Sequence, residues 1–153
     1  LLMISFISFS FIGKDTPTEG LSIGDKAPEF NICGEKQLIN LKDLRGKYVL
    51  LSFWASYDAA SRMQNATLNH AISKADNVEM VSVSFDEYKS IFNETIKQDQ
   101  ISTSKCFVEL KGQKSNLYKT YRLQRGFKNY LLDENGVIIA KDVKASDLSS
   151  YLN

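Results

Sequence analysis

Residues 46–62 read GKYVLLSFWASYDAASR. The first half, Tyr48 to Trp54, is almost wholly apolar and carries no charge. Such a run predicts a strand covered on both faces, at the centre of a parallel sheet. From Asp58 the pattern turns helical, with Ala60, Met63, Thr67, Ala71, Ile72 and Ala75 expected on one side. A buried strand that feeds straight into a helix N-terminus is where α/β proteins place their chemistry. Asp58 and Ser61 stand three apart there, so they share one face, one turn along. Asp58 reads first as the helix N-cap, a role that contributes about 0.5–2 kcal/mol. A proton-accepting role is the alternative.

Composition narrows the class. At 153 residues the chain suits one domain with a full core. Its hydrophobic content of 43% and charged content of 24% are those of a soluble globular protein. A formal net charge of +1 gives no pull toward nucleic acid or a membrane surface. The two cysteines, Cys33 and Cys106, lie far apart and form neither a disulfide framework nor a metal-ligand spacing. No metal and no cofactor is expected. The single histidine, His70, falls on the helix after Asp58 and reads as a surface or boundary residue.

The segment FWASYDAASR resembles the FWATWCxPCR segment of thioredoxin-fold thiol–disulfide oxidoreductases, especially ResA/TlpA-like proteins and the broader AhpC/TSA, or redoxin, group. Phe53, Trp54, Ala55 and Arg62 match as they stand. Asp58 takes the place of the attacking cysteine, Ser61 that of the resolving cysteine, and Tyr57 that of the second tryptophan. In the family the first thiol is activated by helix N–H groups and the positive end of the dipole. A carboxylate in that position carries no electrons, and Ser61 closes no disulfide.

Further matches extend the resemblance from Ile23 to the C-terminus. IGDKAPEF, residues 23–30, is similar to a G-x-x-APxF opening, and LKDLRGK, residues 41–47, to an L-x-DL-x-GK lead-in. Between them, Asn31–Cys33 and Gln37–Leu41 flank Gly34-Glu35-Lys36, a hairpin signal. Residues 79–85 alternate as a strand, and Tyr88, Ile91, Phe92, Thr95 and Ile96 recur at helical spacing. Asp86 and Glu87 read as charge at that helix's N-terminus. Lys105–Leu110 is a strand candidate and Ser115–Arg122 a helix. In the family a cis-proline then faces the cysteine pair. In LQRGFKNYLLD, residues 123–133, Phe127 takes the proline position and Lys128 the threonine position. A cis bond before a non-proline residue costs about 2.5–4 kcal/mol. A trans Gly126–Phe127 bond is therefore expected, with the Phe127 ring crowding the space over Asp58. Asp133-Glu134-Asn135-Gly136 is a strong hairpin turn, and Ser146 a plausible cap for a last helix.

The resemblance implies a thioredoxin-like α/β fold: a central mixed sheet with helices on both faces and an N-terminal hairpin. It assigns residues 23–153 to that domain. Residues 1–22 are an apolar leader and linker. LLMISFISFSFIG, residues 1–13, fits the h-region of a secretory signal or an extra strand. It points to the cell envelope or periplasm, with a cytoplasmic location left open, and gives the only membrane link. Without a starting methionine, the chain also reads as the terminal domain of a longer envelope protein. The functional expectation is a family member that is redox-inactive at its usual site and binds an envelope polypeptide in the former substrate groove. Trp54, Tyr57, Arg62, Phe127, Lys128 and Tyr130 would line that groove. The alternative is an oxidoreductase or peroxidase using a lone thiol, Cys106 or Cys33. Cys106 is expected near the Phe127 segment. A Cys33–Cys106 disulfide needs Cα atoms within about 7 Å.

Overall fold

A computed structural model describes residues 16–34, 37–101 and 104–152. The apolar leader, residues 1–13, lies outside the described residues. Chain order gives β1 (Asn31–Cys33), β2 (Leu38–Asn40), β3 (Tyr48–Trp54), α1 (Ala59–Ile72), β4 (Val78–Ser84) and α2 (Lys89–Gln98). Then follow β5 (Cys106–Val108), α3 (Asn116–Thr120), β6 (Asn129–Leu132), β7 (Ile138–Lys141) and α4 (Leu148–Tyr151). The strands form a β1–β2 hairpin and a five-stranded sheet of order β5-β4-β3-β6-β7. β3 is central, parallel to β4 and antiparallel to β6.

Both faces of β3 are covered, which explains its uninterrupted apolar run. Val49, Leu51 and Phe53 face a core shared with the hairpin residues Ile32 and Ile39 and with Leu117, Tyr118 and Tyr121 around α3. Leu50 faces the opposite core, with Leu68 of α1 and Leu148 of α4. The β1–β2 hairpin expected around Gly34 is present, closed by the Gly34 N–H on the Gln37 carbonyl at 2.8 Å. The turn at Asp133–Gly136 forms as expected. Gly136 adopts φ +76°, and the Asp133 carboxylate accepts the Asn135 and Val137 N–H groups.

Four local expectations are corrected. Met63 of α1 is 69% exposed, and Ala60 and Thr67 are exposed too. Ala71, Ile72 and Ala75 do pack, half-buried, on the Leu50 core, but the buried residues of α1 are Ser61, Asn65, Leu68 and Asn69, so the first turns of α1 set polar groups inward. Ser52 and Ser82 both donate to Asn65 Oδ1, at 2.8 and 2.7 Å, which satisfies that oxygen, while Asn65 Nδ2 is buried without a partner among the described residues. On α2 only Phe92 and Thr95 are buried, while Tyr88 and Ile91 are exposed. The described part of the expected linker is tied in: Thr18 accepts the Lys26 N–H, and Gly20 donates to the Lys26 carbonyl. The last helix is capped at Asp147, after a 3-10 turn that contains Ser146.

Candidate functional site

The C-terminal end of β3 delivers the chain through Ala55–Asp58 into α1. Asp58 is the N-cap, with extended backbone, and its Oδ1 accepts the Ser61 N–H at 2.9 Å. The same Asp58 carbonyl begins the helix by accepting the Arg62 N–H at 3.0 Å. Ser61 is buried; its hydroxyl donates to the Asp58 carbonyl at 3.2 Å and accepts the Ala55 N–H at 3.4 Å. Residues 58 and 61 therefore satisfy each other and the turn. One of the N–H donors that would activate a thiol at this helix end is taken by the Asp58 carboxylate.

Asp86 is not the charge at the head of α2 that its place in the sequence suggests. The N-cap of α2 is Tyr88, and Asp86 is a buried carboxylate at 3% exposure. It accepts the Ser56 N–H at 3.1 and 3.2 Å, and both the Ser56 and Ser84 hydroxyls. It thus pins the loop before Asp58 to the end of β4. A serine two residues before an aspartate at a strand end was the only sequence signal for it, and that pattern alone does not separate a buried acceptor from a surface charge.

The second half of the site is the turn before β6. Gly126 has φ +117°, a region open to glycine. The described residues hold no cis peptide bond, as expected for Phe127. The Lys128 carbonyl accepts the Phe53 N–H at 3.1 Å, joining this turn to β3. The Phe127 ring lies half-buried, stacked on Phe85 at 6.0 Å and edge-on to Tyr118 at 6.2 Å. Its outer neighbour is Tyr57, 6.2 Å away and 62% exposed. The aromatic contacts of Phe127 are thus with Tyr57, Phe85 and Tyr118.

Two of the expected groove residues belong to the core. Trp54 is fully buried, because alternation along β3 turns it beneath α2, against Phe92. Its indole N–H donates to Ser82 Oγ at 2.8 Å. Tyr130 is buried between Phe53 and Tyr121. The exposed aromatic surface is therefore Tyr57 with the rim of Phe127. Both expected cations are engaged. Arg62 grips Asp99 with Nε at 2.8 Å and a second nitrogen at 2.7 Å, and Lys128 Nζ pairs with Asp142 at 3.1 Å.

Cys106 does not approach the Phe127 turn. β5 and β6 lie on opposite sides of β4 and β3, so two strands intervene. Its sulfur lies 3.6 Å from Ser82 Oγ, and burial pushes its thiol up to about 11. Cys33 ends β1 and is exposed.

The AhpC/TSA family model matches residues 23–141. The chain belongs to the AhpC/TSA family. A thioredoxin-like protein from Parabacteroides distasonis superposes with a TM-score of 0.77 at 42% identity, covering 90% of this chain and 98% of that one. The thiol-disulfide oxidoreductase ResA of Bacillus thuringiensis subsp. konkukian is 25% identical over 156 residues, 99% of this chain and 87% of that protein. The thioredoxin-like protein YneN of Bacillus subtilis is 28% identical over 123 residues, 78% of this chain and 70% of that protein. This AhpC/TSA chain thus has the thioredoxin-like fold and thiol–disulfide oxidoreductase relatives. Asp58 and Ser61 occupy the β3–α1 junction, the position that the FWASYDAASR resemblance assigns to the cysteine pair.

Proposed function

We propose that this chain is a cell-envelope member of the thiol–disulfide oxidoreductase relatives that is redox-inactive at the β3–α1 junction and binds a polypeptide beside it. The observation that carries the reading is the Asp58 carboxylate on the Ser61 N–H at 2.9 Å. It fills the head of α1 with an anion that neither donates nor accepts electrons. Tyr57 and the rim of Phe127 offer an exposed aromatic ledge beside it. Aromatic anchors of this kind carry a large share of binding energy at protein interfaces. The envelope location is supported by the apolar run at residues 1–13.

Insulin reduction with a thiol reductant tests the inactive junction. With Cys33→Ser and Cys106→Ser in place and the junction intact, the chain should leave the rate at background. Asp58→Cys with Ser61→Cys should create a disulfide that a reductant opens, with weak reductase activity that rises when Phe127→Pro is added. Catalysis that survives in a Cys33→Ser, Cys106→Ser chain would overturn the reading, because that chain keeps the junction and has no other thiol. Recovery of a partner from envelope extract should fall when Tyr57→Ala and Phe127→Ala are combined; equal recovery would remove this ledge from the binding surface.

A second reading, thiol chemistry by one cysteine, is favoured by the exposure of Cys33. Cys106 is a poor lone nucleophile, since a thiol held near 11 is almost wholly protonated at neutral pH.

A further inference from the structure

The two cysteines share one cleft although they are far apart in sequence. Both line one cleft of about 430 Å³, bounded by the hairpin, the edge strand β5 and α2. Two contacts hold the hairpin there. Gln37 Nε2 donates to the Ser104 carbonyl at 2.8 Å. Gly34 lies so close to Phe107 that a Cβ on it would sit 2.9 Å from the ring. Gly34 follows Cys33, and Phe107 follows Cys106. This contact therefore brings the two cysteine-bearing strands together. The hairpin is a sheet of its own, with no ladder to the five-stranded sheet. It is held against β5 by side-chain packing, with Ile32 and Ile39 in the core beside Phe107, and not by strand pairing.

We infer that Cys33 and Cys106 are a thiol pair displaced from the β3–α1 junction, which reduces a small disulfide and closes into a disulfide in turn. The exposed Cys33 is the entering nucleophile. Its thiolate attacks one sulfur of the disulfide R–S–S–R, that S–S bond breaks, and one thiolate leaves and takes up a proton. Cys106 then loses its proton and attacks the Cys33 sulfur, releasing the second thiolate, which is protonated in turn. One disulfide is reduced to two thiols while two cysteine thiols are oxidised to one bridge. Burial around Cys106 makes the closing step the slow one, and it should quicken as pH rises toward 11. Its intramolecular character compensates for the small thiolate fraction. This pair is independent of the groove reading. Success or failure of either leaves the other standing, because the cleft lies across β4 and β3 from Phe127.

The test uses the full reduced chain, dilute, with bis(2-hydroxyethyl) disulfide as probe. The mass should fall by about 2 Da and both thiols should vanish from titration of the unfolded product. Peptide mapping should join the Cys33 and Cys106 segments. Cys106→Ser should stop at a single hydroxyethylthio adduct on Cys33, and Cys33→Ser should react at least about tenfold more slowly, as expected when the remaining thiol is buried. The inference is overturned if the unsubstituted chain stops at an adduct on Cys33 with Cys106 still titratable. Adducts on both sulfurs, or a Cys33–Cys33 dimer in place of the internal bridge, would overturn it equally.

Discussion

Asp58 and Asp86 sit close along the same loop system and do different work. Asp58 caps α1 through one N–H, in partial contact with solvent. Asp58→Ala should cost about 0.5–2 kcal/mol in urea unfolding, and Asp58→Asn much less, because an amide oxygen still accepts the Ser61 N–H. Asp86 accepts one backbone N–H and two hydroxyls in a buried place. Asp86→Ala leaves those donors without a partner, at about 1–3 kcal/mol each in the worst case. Its unfolding midpoint should drop further than that of Asp58→Ala, and the Ser56 amide should exchange faster with solvent. A smaller drop than for Asp58→Ala would mean that Asp86 does not hold the loop. The cap was legible from a residue type at a pattern boundary. The buried acceptor was not, because its partners come from β4 and from the loop after β3.

The elements show the same divide. β3 was legible because both its faces are apolar, and no neighbour is needed to recognise such a run. The inward side of α1 is not legible because Asn65 is buried against hydroxyls of β3 and β4 and Ser61 against the backbone of Ala55 and Asp58, while Met63 faces solvent. Periodicity counts apolar residues and has no term for a polar residue with a waiting partner. A second inter-element tie predicts an acid response. Glu79 of β4 accepts from Lys105, just before β5, at 2.6 Å, and from Lys47, just before β3, at 3.0 Å. These bonds, Lys105 first, hold its carboxyl below the usual glutamate range. A carboxylate lowered on folding adds stability above its unfolded value of about 4.3 and loses it as pH falls through the folded value. Glu79→Gln should therefore be less stable than the unsubstituted protein at pH 7, by about 1 kcal/mol. That gap should close in acid. A gap constant from pH 7 to pH 3 would show that the charge contributes nothing.

The whole molecule puts its one tryptophan in the core, fully buried with its N–H on Ser82. Native fluorescence should be blue-shifted and weakly quenched by iodide, and should shift red in one step as the sheet unfolds. Strong quenching in the native state would place Trp54 at the surface instead. Through its resemblance to a known family the sequence implied the fold, and by itself it determined the central strand, both hairpins and the carboxylate at the head of α1. Each of these is set by local pattern or by residues near one another along the chain. Only the tertiary structure decided that Trp54 and Tyr130 leave the groove, that Asp86 is a buried acceptor, and that Cys33 and Cys106 share a cleft. Those facts depend on which strands and helices come together. Closure between distant segments sets burial and partnership, and no local window of residues carries that information.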